Sequence, residues 1–290
     1  MPKNLLFQFD TDPIPSTFDT VVGHDGGADQ VHPYGGISPQ TLGQLVEGCI
    51  FTRSPKEKQH TAIFVGGSQL ADGEVLFAAI QKKFFASFRV SVMLDSNGSN
   101  TTAAAGVAFL ARHGSLQGKR AVVLAGTGPV GQRAAAMLAG EGAEVSITSR
   151  QMVRARAAAD AIASRFGRTV TAVEAFDNTA RAQALQGAQL VFAAGAAGVN
   201  LLNEEGWRDN PSLQVLTDAN ATPMLGIAGI DMTDRGVERH GKIVYGAIGF
   251  GALKLTLHRT CIGRLFERND LVLDAQEIYA IAKETVGEFT

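Results

Sequence analysis

The chain has few of the features that mark secreted, metal-dependent or membrane proteins. Only two cysteines, Cys49 and Cys261, occur in 290 residues, which favours buried thiols in a reducing compartment over a disulfide bridge. The six histidines are scattered, without His-x-x-x-His or Cys-x-x-Cys spacing, so no metal site is expected. No apolar run is long enough to span a membrane, and the apolar stretch near the start is too short for a signal peptide. We therefore expect a cytoplasmic protein without a membrane segment.

An excess of positive charge is also missing. The formal net charge is −2, and this argues against nucleic acid as the main partner. Hydrophobic residues make up 45% of the chain and charged residues 19%, so sizeable buried cores are expected. At 290 residues the chain can form two domains of ordinary size.

Strand and helix patterns alternate along most of the chain, which predicts an α/β fold with largely parallel sheets. In the first hundred residues, Ser38-Pro39 is typical of a helix start and predicts a helix to about Gly48. Near the other end, strand 242–245 is expected to be the last of the second sheet. Two helices, over 250–266 and 274–289, are expected to close the chain.

A glycine motif lies between a buried strand and an alanine-rich helix. The strand Arg120–Ala125 runs directly into Gly126, Gly128 and Gly131, which form G-x-G-x-x-G, and a second strand follows the helix. In dinucleotide-binding folds these glycines permit a tight turn, close approach of a pyrophosphate, and close packing of helix on strand. A tight β–α turn without a ligand is the alternative, but the order strand, glycines, helix, strand favours dinucleotide binding.

The end of the second strand indicates which dinucleotide binds. An NAD site usually has an Asp or Glu there to hold the ribose 2′-hydroxyl, whereas this chain has Thr148-Ser149-Arg150. A hydroxyl followed by a guanidinium suits a 2′-phosphate, and Arg154, one helical turn further, adds a second positive charge. The two arginines could instead be solvated residues at a helix start. We expect NADP as the cofactor.

Further polar or small-residue segments follow other strands. Asp95–Thr102 (DSNGSNTT) lies after a strand, where open α/β sheets bind ligands, although an N-cap cluster would have the same composition. The alanine and glycine cluster at 193–198 either admits a nicotinamide ring or is a tight loop. Asp218-Ala219-Asn220 follows a later strand. We expect Ala194 and Asn220 to contribute to the cofactor site.

Lys254 is the one charged residue among Leu253, Leu255 and Leu257 on a predicted helix. Its side chain either extends to solvent along the apolar surface or projects into a site. His258, four residues later, lies on the same face.

With these residues in view, the chain resembles the NADP-dependent methylenetetrahydromethanopterin dehydrogenases of methylotrophic bacteria, which also accept methylenetetrahydrofolate. The resemblance runs essentially from end to end. It rests on the segments LLFQFDTD, EKQHTAIFVGG, MLDSNGSNTTAAAGVA, AVVLAGTGPVG, LGIAGID and GALKLTLHR.

The resemblance implies two α/β domains with the active-site cleft between them. A pterin domain would comprise residues 1–105, completed by the C-terminal helices 250–290, and a Rossmann-type NADP domain residues 106–249. It also implies a homo-oligomer, a trimer in the family. On the pterin side the matching residues are Asp95, Ser99, Thr102 and Lys254, with Lys254 as the catalytic residue. On the NADP side they are Gly126, Thr127, Gly128, Pro129, Val130, Gly131, Ser149 and Arg150, together with Arg154, which falls where relatives carry a different basic or polar pattern.

The implied chemistry is hydride transfer from the one-carbon methylene group of the pterin to NADP+, giving the methenyl form in one-carbon metabolism. No proton moves in that step, so no general base is needed. A shikimate-type NADP dehydrogenase is the nearest alternative, but it needs a Lys–Asp pair, and Lys254 and Asp95 have the wrong spacing for that family. A non-enzymatic NADP-sensing protein is the alternative from another class, and it would not need the polar segment 95–102.

Overall fold

Two stretches of chain that lie far apart in the sequence together form the first folded unit. In the computed structural model, which describes residues 2–289, this unit contains the chain up to Thr101 together with Leu255–Thr285. The second unit contains Thr102–Lys254 and the residues after Thr285. Met1 and Thr290, which the expected first domain includes, lie outside the described residues. The functional division at 105 and 250 stays a prediction.

The elements alternate between strand and helix along most of the chain. In chain order they are β1 (Leu5–Asp10), α1 (Thr17–Asp25), β2 (Gln30–Tyr34), α2 (Gly43–Phe51), β3 (Thr61–Gly66), α3 (Leu70–Lys82), β4 (Ser91–Leu94), α4 (Ser99–Ala111), β5 (Arg120–Leu124), α5 (Pro129–Gly140), β6 (Glu144–Ser149), α6 (Met152–Phe166), β7 (Thr171–Glu174), α7 (Asn178–Ala184), β8 (Leu190–Ala193), β9 (Val215–Asp218), β10 (Arg235–Arg239), β11 (Lys242–Tyr245), α8 (Ala247–Arg264), β12 (Val272–Leu273) and α9 (Ala275–Thr285).

The first unit is built on a five-stranded sheet in the order β12-β4-β3-β1-β2, and every neighbouring pair is parallel. Every residue of β3 and β4 is buried, as expected for central strands covered on both faces. Residues from α2 and α3, including Val46, Ile50, Leu76 and Ile80, form a core with the sheet. Burial of these apolar side chains is the main stabilising contribution in the unit.

A late segment of the chain completes this sheet at its β4 edge. Val272 and Leu273 of β12 pair with Val92 and Met93 of β4. The hydroxyl of Ser91 donates to the Arg268 carbonyl at 2.7 Å. The sheet of the first unit is therefore complete only when residues near 270 have joined it.

The helix expected from Ser38 starts later, at Gly43. The Thr41 hydroxyl accepts the backbone N–H of Ser38 at 3.0 Å, and the Ser38 carbonyl accepts the N–H of Thr41 at 3.0 Å. These bonds close a separate turn over 38–41. The prediction that Ser38-Pro39 opens the helix was wrong, since the turn over 38–41 precedes the helix and Leu42 is the residue at its N-cap.

The second unit contains a seven-stranded sheet in the order β10-β11-β9-β8-β5-β6-β7. All neighbouring pairs are parallel except β10 with β11. Numbered from β5, the six parallel strands follow the order 3-2-1-4-5-6 of the dinucleotide-binding Rossmann fold. The predicted α/β class and the predicted last strand at 242–245 are confirmed. The antiparallel strand β10 was not predicted.

Two predictions about the chain as a whole can be compared with the structure. Cys49 and Cys261 are both buried free thiols, as expected. Among residues 2–289, no helix combines the length and the apolar character needed to cross a membrane.

Candidate functional site

Two of the three motif glycines are required by packing inside the second unit. A Cβ on Gly126 would lie 2.9 Å from the Ile147 Cβ on β6, and a Cβ on Gly131 would lie 2.7 Å from the Gly126 Cα. Both distances are below what real Cβ atoms tolerate. These glycines therefore allow α5 to pack directly against the turn that follows β5.

Gly128 differs because no contact with the residues that the structure describes requires it to be glycine. A Cβ there would meet no atom within 4 Å, and its φ of −81° and ψ of 174° are open to any residue. The missing side chain leaves open space beside the backbone at the start of α5. That space fits a ligand whose phosphates approach the backbone closely.

The loop around Gly128 is held rigidly by hydrogen bonds. The backbone N–H of Ala125 donates to the Thr148 Oγ1 at 3.0 Å, and that of Gly126 donates to the Thr148 carbonyl at 3.0 Å. The Gln132 side chain donates to the Thr127 carbonyl at 2.7 Å. Gly128 is the N-cap of α5 and brings no side-chain cap, so the positive end of the helix dipole faces the loop.

A cavity of about 680 Å³ lies beside this loop, within the range of small-molecule sites. Its lining contains four of the residues that the sequence predicted for NADP, namely Thr127, Ser149, Arg150 and Arg154. Among the residues that the structure describes, the lining also contains Arg181 and no Asp or Glu. The other lining residues are Ala125, Thr148, Gln151, Ala175, Phe176, Ala196, Val199 and Leu201. The cavity thus offers cationic and apolar surfaces to one ligand.

Arg181 was not predicted from the sequence. It is half-buried on α7, and its two terminal nitrogens donate to the carbonyls of Leu201 at 2.9 Å and Phe176 at 3.2 Å. Burial lowers the pKa of the Arg181 guanidinium, the charge of Asp177 opposes this shift, and Arg150 adds to it. Arg181 is far from the glycine motif in the sequence, so its position in the cavity lining could not be inferred from the motif. The sheet order brings it there, because β7 lies next to β6.

Ala194 and Asn220 are not among the residues that line this cavity. The backbone N–H of Ala194 donates to the Leu124 carbonyl at 3.0 Å. The buried Asn220 amide donates to the carbonyls of Met224 at 3.1 Å and Ala196 at 3.4 Å. Asn220 therefore ties together the loops after β8 and β9. The contact of Ala194 and Asn220 with the cofactor stays a prediction.

Asp218, at the end of β9, is a further buried acid in this region. Its two carboxylate oxygens accept the backbone N–H groups of Asn220 at 3.0 Å and Ile227 at 2.8 Å. Burial raises the pKa of Asp218, although these bonds lower it in part. Asp218 fixes the start and the end of the loop over 219–227.

In the first unit, the polar segment after β4 is largely bonded to itself. Asp95 is fully buried, and its carboxylate accepts the N–H groups of Asn100 at 2.9 Å and Thr101 at 3.0 Å and the Thr101 hydroxyl at 2.6 Å. Ser99 is also fully buried and donates to the Ser96 carbonyl at 2.7 Å. These bonds match the N-cap interpretation of the segment. The substrate-binding role of Asp95 and Ser99 stays a prediction.

The two remaining predicted pterin residues are partly accessible. Thr102, on α4, and Lys254, on α8, are each half-buried. One helical turn beyond Lys254, His258 is buried against the Phe64 ring, with ring centroids 5.3 Å apart. Its Nδ1 lies 4.0 Å from the Asp95 carboxylate. The position of His258 on the helix was evident from the sequence, whereas its approach to Asp95 was not.

The chain is similar to one known family and to two proteins of Methylorubrum extorquens. Residues 17–97 match the family described as methylene-tetrahydromethanopterin dehydrogenase, N-terminal. The chain is 58% identical over 286 residues to the bifunctional protein MdtA of Methylorubrum extorquens, covering 98% of this chain and 99% of that protein. It is 32% identical over 282 residues to the NAD(P)-dependent methylenetetrahydromethanopterin dehydrogenase of the same organism, covering 94% and 95%. The chain belongs to the methylenetetrahydromethanopterin dehydrogenase family.

This assignment confirms the resemblance drawn from the sequence segments. It also confirms that the chain is an oxidoreductase of one-carbon metabolism. The roles of the individual site residues remain proposals.

Solved structures share the fold at low sequence identity. Quinate dehydrogenase from Corynebacterium glutamicum in complex with NAD aligns with a TM-score of 0.54 and 15% identity, covering 99% of each chain. The 5-ketofructose reductase of Gluconobacter sp. strain CHM43 in ligand-free form aligns with a TM-score of 0.51 and 17% identity, covering all of both chains. The likeness to quinate dehydrogenase extends to the fold, while the sequence relatives define the family.

Proposed function

We propose that the protein oxidises methylenetetrahydromethanopterin, and also methylenetetrahydrofolate, to the methenyl form by hydride transfer to NADP+. The proposal rests on family membership and on one observation in the second unit. The cavity at the end of β6 is lined by Arg150, Arg154 and Arg181 and by no carboxylate. A guanidinium can bind a 2′-phosphate bidentately, whereas a 2′-hydroxyl is usually held by Asp or Glu.

The cofactor would be held by the loop after β5 and by the cavity beside it. The open space at Gly128 would admit the pyrophosphate next to the start of α5, in the loop that comprises Gly126, Thr127, Gly128, Pro129, Val130 and Gly131. Ser149, Arg150 and Arg154 would contact the 2′-phosphate. Ala194 and Asn220 would lie towards the nicotinamide, which supplies the hydride acceptor when the cofactor is bound.

The pterin would be held by Lys254 and by the segment after β4. During the reaction a C–H bond of the methylene carbon breaks, and the hydrogen leaves with both electrons. The lone pairs of the two flanking nitrogens stabilise the methenyl cation that remains. Because no proton is removed, Lys254 needs no basic function, and its charge directly beside the cation would oppose the reaction. We propose that Lys254 positions the pterin by hydrogen bonding.

Asp95 and Ser99 would contribute to pterin binding indirectly, by fixing the conformation of the segment that contains them. Both side chains are fully buried and bonded within 95–101, so they fix the backbone that leads into α4. Thr102, which is half-buried, would be the residue of this group that contacts the pterin directly.

Location and assembly are proposed from the state of the cysteines and from the family resemblance. Two buried free thiols fit a cytoplasmic protein. A homo-oligomer, trimeric by resemblance, would appear in light scattering coupled to size-exclusion chromatography as a mass well above 30.5 kDa. A mass of one chain at micromolar concentration would contradict the assembly.

The reaction is tested with four substrate pairs. Methylenetetrahydromethanopterin and methylenetetrahydrofolate are each incubated with NADP+ and with NAD+, and reduced nicotinamide is followed by absorbance. Reduction of NADP+ in preference to NAD+ with either pterin is the expected result, and the ratio of rates identifies the preferred carrier. Binding of NADP+ without reduction by either carrier would contradict the substrate and leave the cofactor assignment standing.

A further inference from the structure

Arg181 differs from the other two arginines of the cavity in how firmly it is held. Arg150 and Arg154 are exposed, whereas Arg181 is half-buried and bonded to the carbonyls of Leu201 and Phe176. Its guanidinium already has one orientation before any ligand arrives. An exposed arginine gives up side-chain freedom when it binds a ligand, and that ordering reduces the affinity gained.

The electrostatic surroundings of Arg181 favour an anion. Arg150 and Arg154 line the same cavity, and no acidic residue does. Asp177 is the carboxylate whose charge acts on Arg181, but one of its oxygens accepts the Ala180 N–H at 2.8 Å and caps α7. Burial and the nearby charge of Arg150 both make the Arg181 cation less favourable, as its lowered pKa indicates. A phosphate dianion among the three guanidinium groups would offset that penalty.

We propose that Arg181 is a specificity-determining residue that distinguishes a 2′-phosphorylated dinucleotide from its 2′-hydroxyl counterpart. The inference rests on the proposed use of NADP+. Arg181 supplies a charge that is oriented in advance, while the exposed Arg150 and Arg154 become ordered only on binding. Its removal should therefore reduce the discrimination between NADP+ and NAD+. The affinity that comes from the parts shared by the two cofactors should change little.

The test is calorimetric binding of NADP+, NAD+, 2′,5′-ADP and 5′-AMP to Arg181→Gln. Glutamine removes the charge but keeps an amide donor for one of the two carbonyls. We expect affinity for NADP+ and 2′,5′-ADP to fall by about 10- to 100-fold, the range for one charge-assisted contact. Affinity for NAD+ and 5′-AMP should change by less than about threefold. Arg181→Lys should recover part of the loss because it restores the charge.

The matched control is Arg156→Gln, which removes the same charge from an exposed position on α6 outside the cavity lining and should leave all four affinities unchanged. An equal loss for phosphorylated and unphosphorylated ligands in Arg181→Gln would mean that Arg181 only ties the two loops together, and it would overturn the inference. Unchanged NADP+ affinity in that variant would overturn it as well. If the unmodified protein showed no preference for NADP+, the proposed cofactor would fail and the inference with it.

Discussion

Substitution of Gly128 by alanine should separate ligand binding from folding at the glycine turn. The added methyl group would contact no atom of residues 2–289 within 4 Å, its chain neighbours aside, and would need no unusual backbone conformation. Alanine is a weaker N-cap than glycine by about 0.5–1 kcal/mol, but it restricts the unfolded chain and recovers a similar amount. The two effects offset each other, so the unfolding free energy should change by less than about 1 kcal/mol.

Gly131→Ala is the matched comparison in the same motif. Its methyl group would lie 2.7 Å from the Gly126 Cα and 2.9 Å from the Gly126 carbonyl carbon. Because backbone atoms cannot rotate away, α5 or the turn must shift, and such overpacking costs about 1–3 kcal/mol. The melting temperature of the second unit should fall by about 2–4 °C for each kcal/mol.

The Gly128→Ala substitution should weaken cofactor binding although it leaves stability nearly unchanged. In Gly128→Ala the methyl group occupies the space proposed for the pyrophosphate, so affinity for NADP+ and for NAD+ should fall together by roughly tenfold or more. Calorimetry gives the affinities, and thermal denaturation followed by circular dichroism gives the stabilities. Unaltered affinity in Gly128→Ala would refute the proposal that the pyrophosphate lies against the backbone at Gly128. A stability loss as large as that of Gly131→Ala would show that the added methyl group clashes with the protein.

Three further predictions concern other parts of the molecule. Lys254→Met should lower the rate of reduction by roughly a hundredfold through misplacement of the pterin while NADP+ affinity stays nearly unchanged; an unaffected rate would contradict the role of Lys254. Asp218→Asn places an amide NH₂ group against one or more of the backbone donors to this side chain, so thermal denaturation should show a loss of about 1–3 kcal/mol, and equal stability would contradict the role of Asp218 in the loop. Burial raises the pKa of the Cys49 thiol to about 12 and also raises that of Cys261, so neither should react rapidly with a disulfide-exchange reagent at about pH 8 until the protein is unfolded. Because an unfolded thiol ionises near pH 8.5, the unfolding free energy should decline as the pH rises from about 8.5 towards 12, and no decline in urea denaturation over that window would contradict the assignment.

Features of the fold that depend on local pattern were predictable from the sequence. The strand, glycines and helix over 120–140 are adjacent in the chain, and each has a distinctive composition, so their order indicated a dinucleotide-binding turn. The sequence also shows directly that the second strand ends in Ser149 and not in Asp or Glu. The strand at 242–245 followed from continued alternation of strand and helix.

Features that depend on the arrangement of distant segments were not predictable. Arg181 reaches the cavity because β7 lies beside β6, and its local sequence resembles any polar helix. Strand β12 has two residues, which is too short for a periodic pattern, and its place is decided by the open edge of β4. The polar composition of 95–102 was equally compatible with a cap and with a ligand site, and only the hydrogen bonds of Asp95 and Ser99 could reveal how much of it is used internally.

The late closure of the first sheet has a consequence for synthesis on the ribosome. A nascent chain that has reached Thr101 has made β4 but lacks β12, so the edge formed by Val92, Met93 and Leu94 has no covering strand. At about 5–20 residues per second, roughly 10–30 s pass before residue 273 is added. During that time strands β5–β11 are synthesised and can pair, while an apolar strand edge of the first sheet stays open to other chains, and such edges promote aggregation. The yield of native protein should therefore depend on how well this edge is shielded during translation.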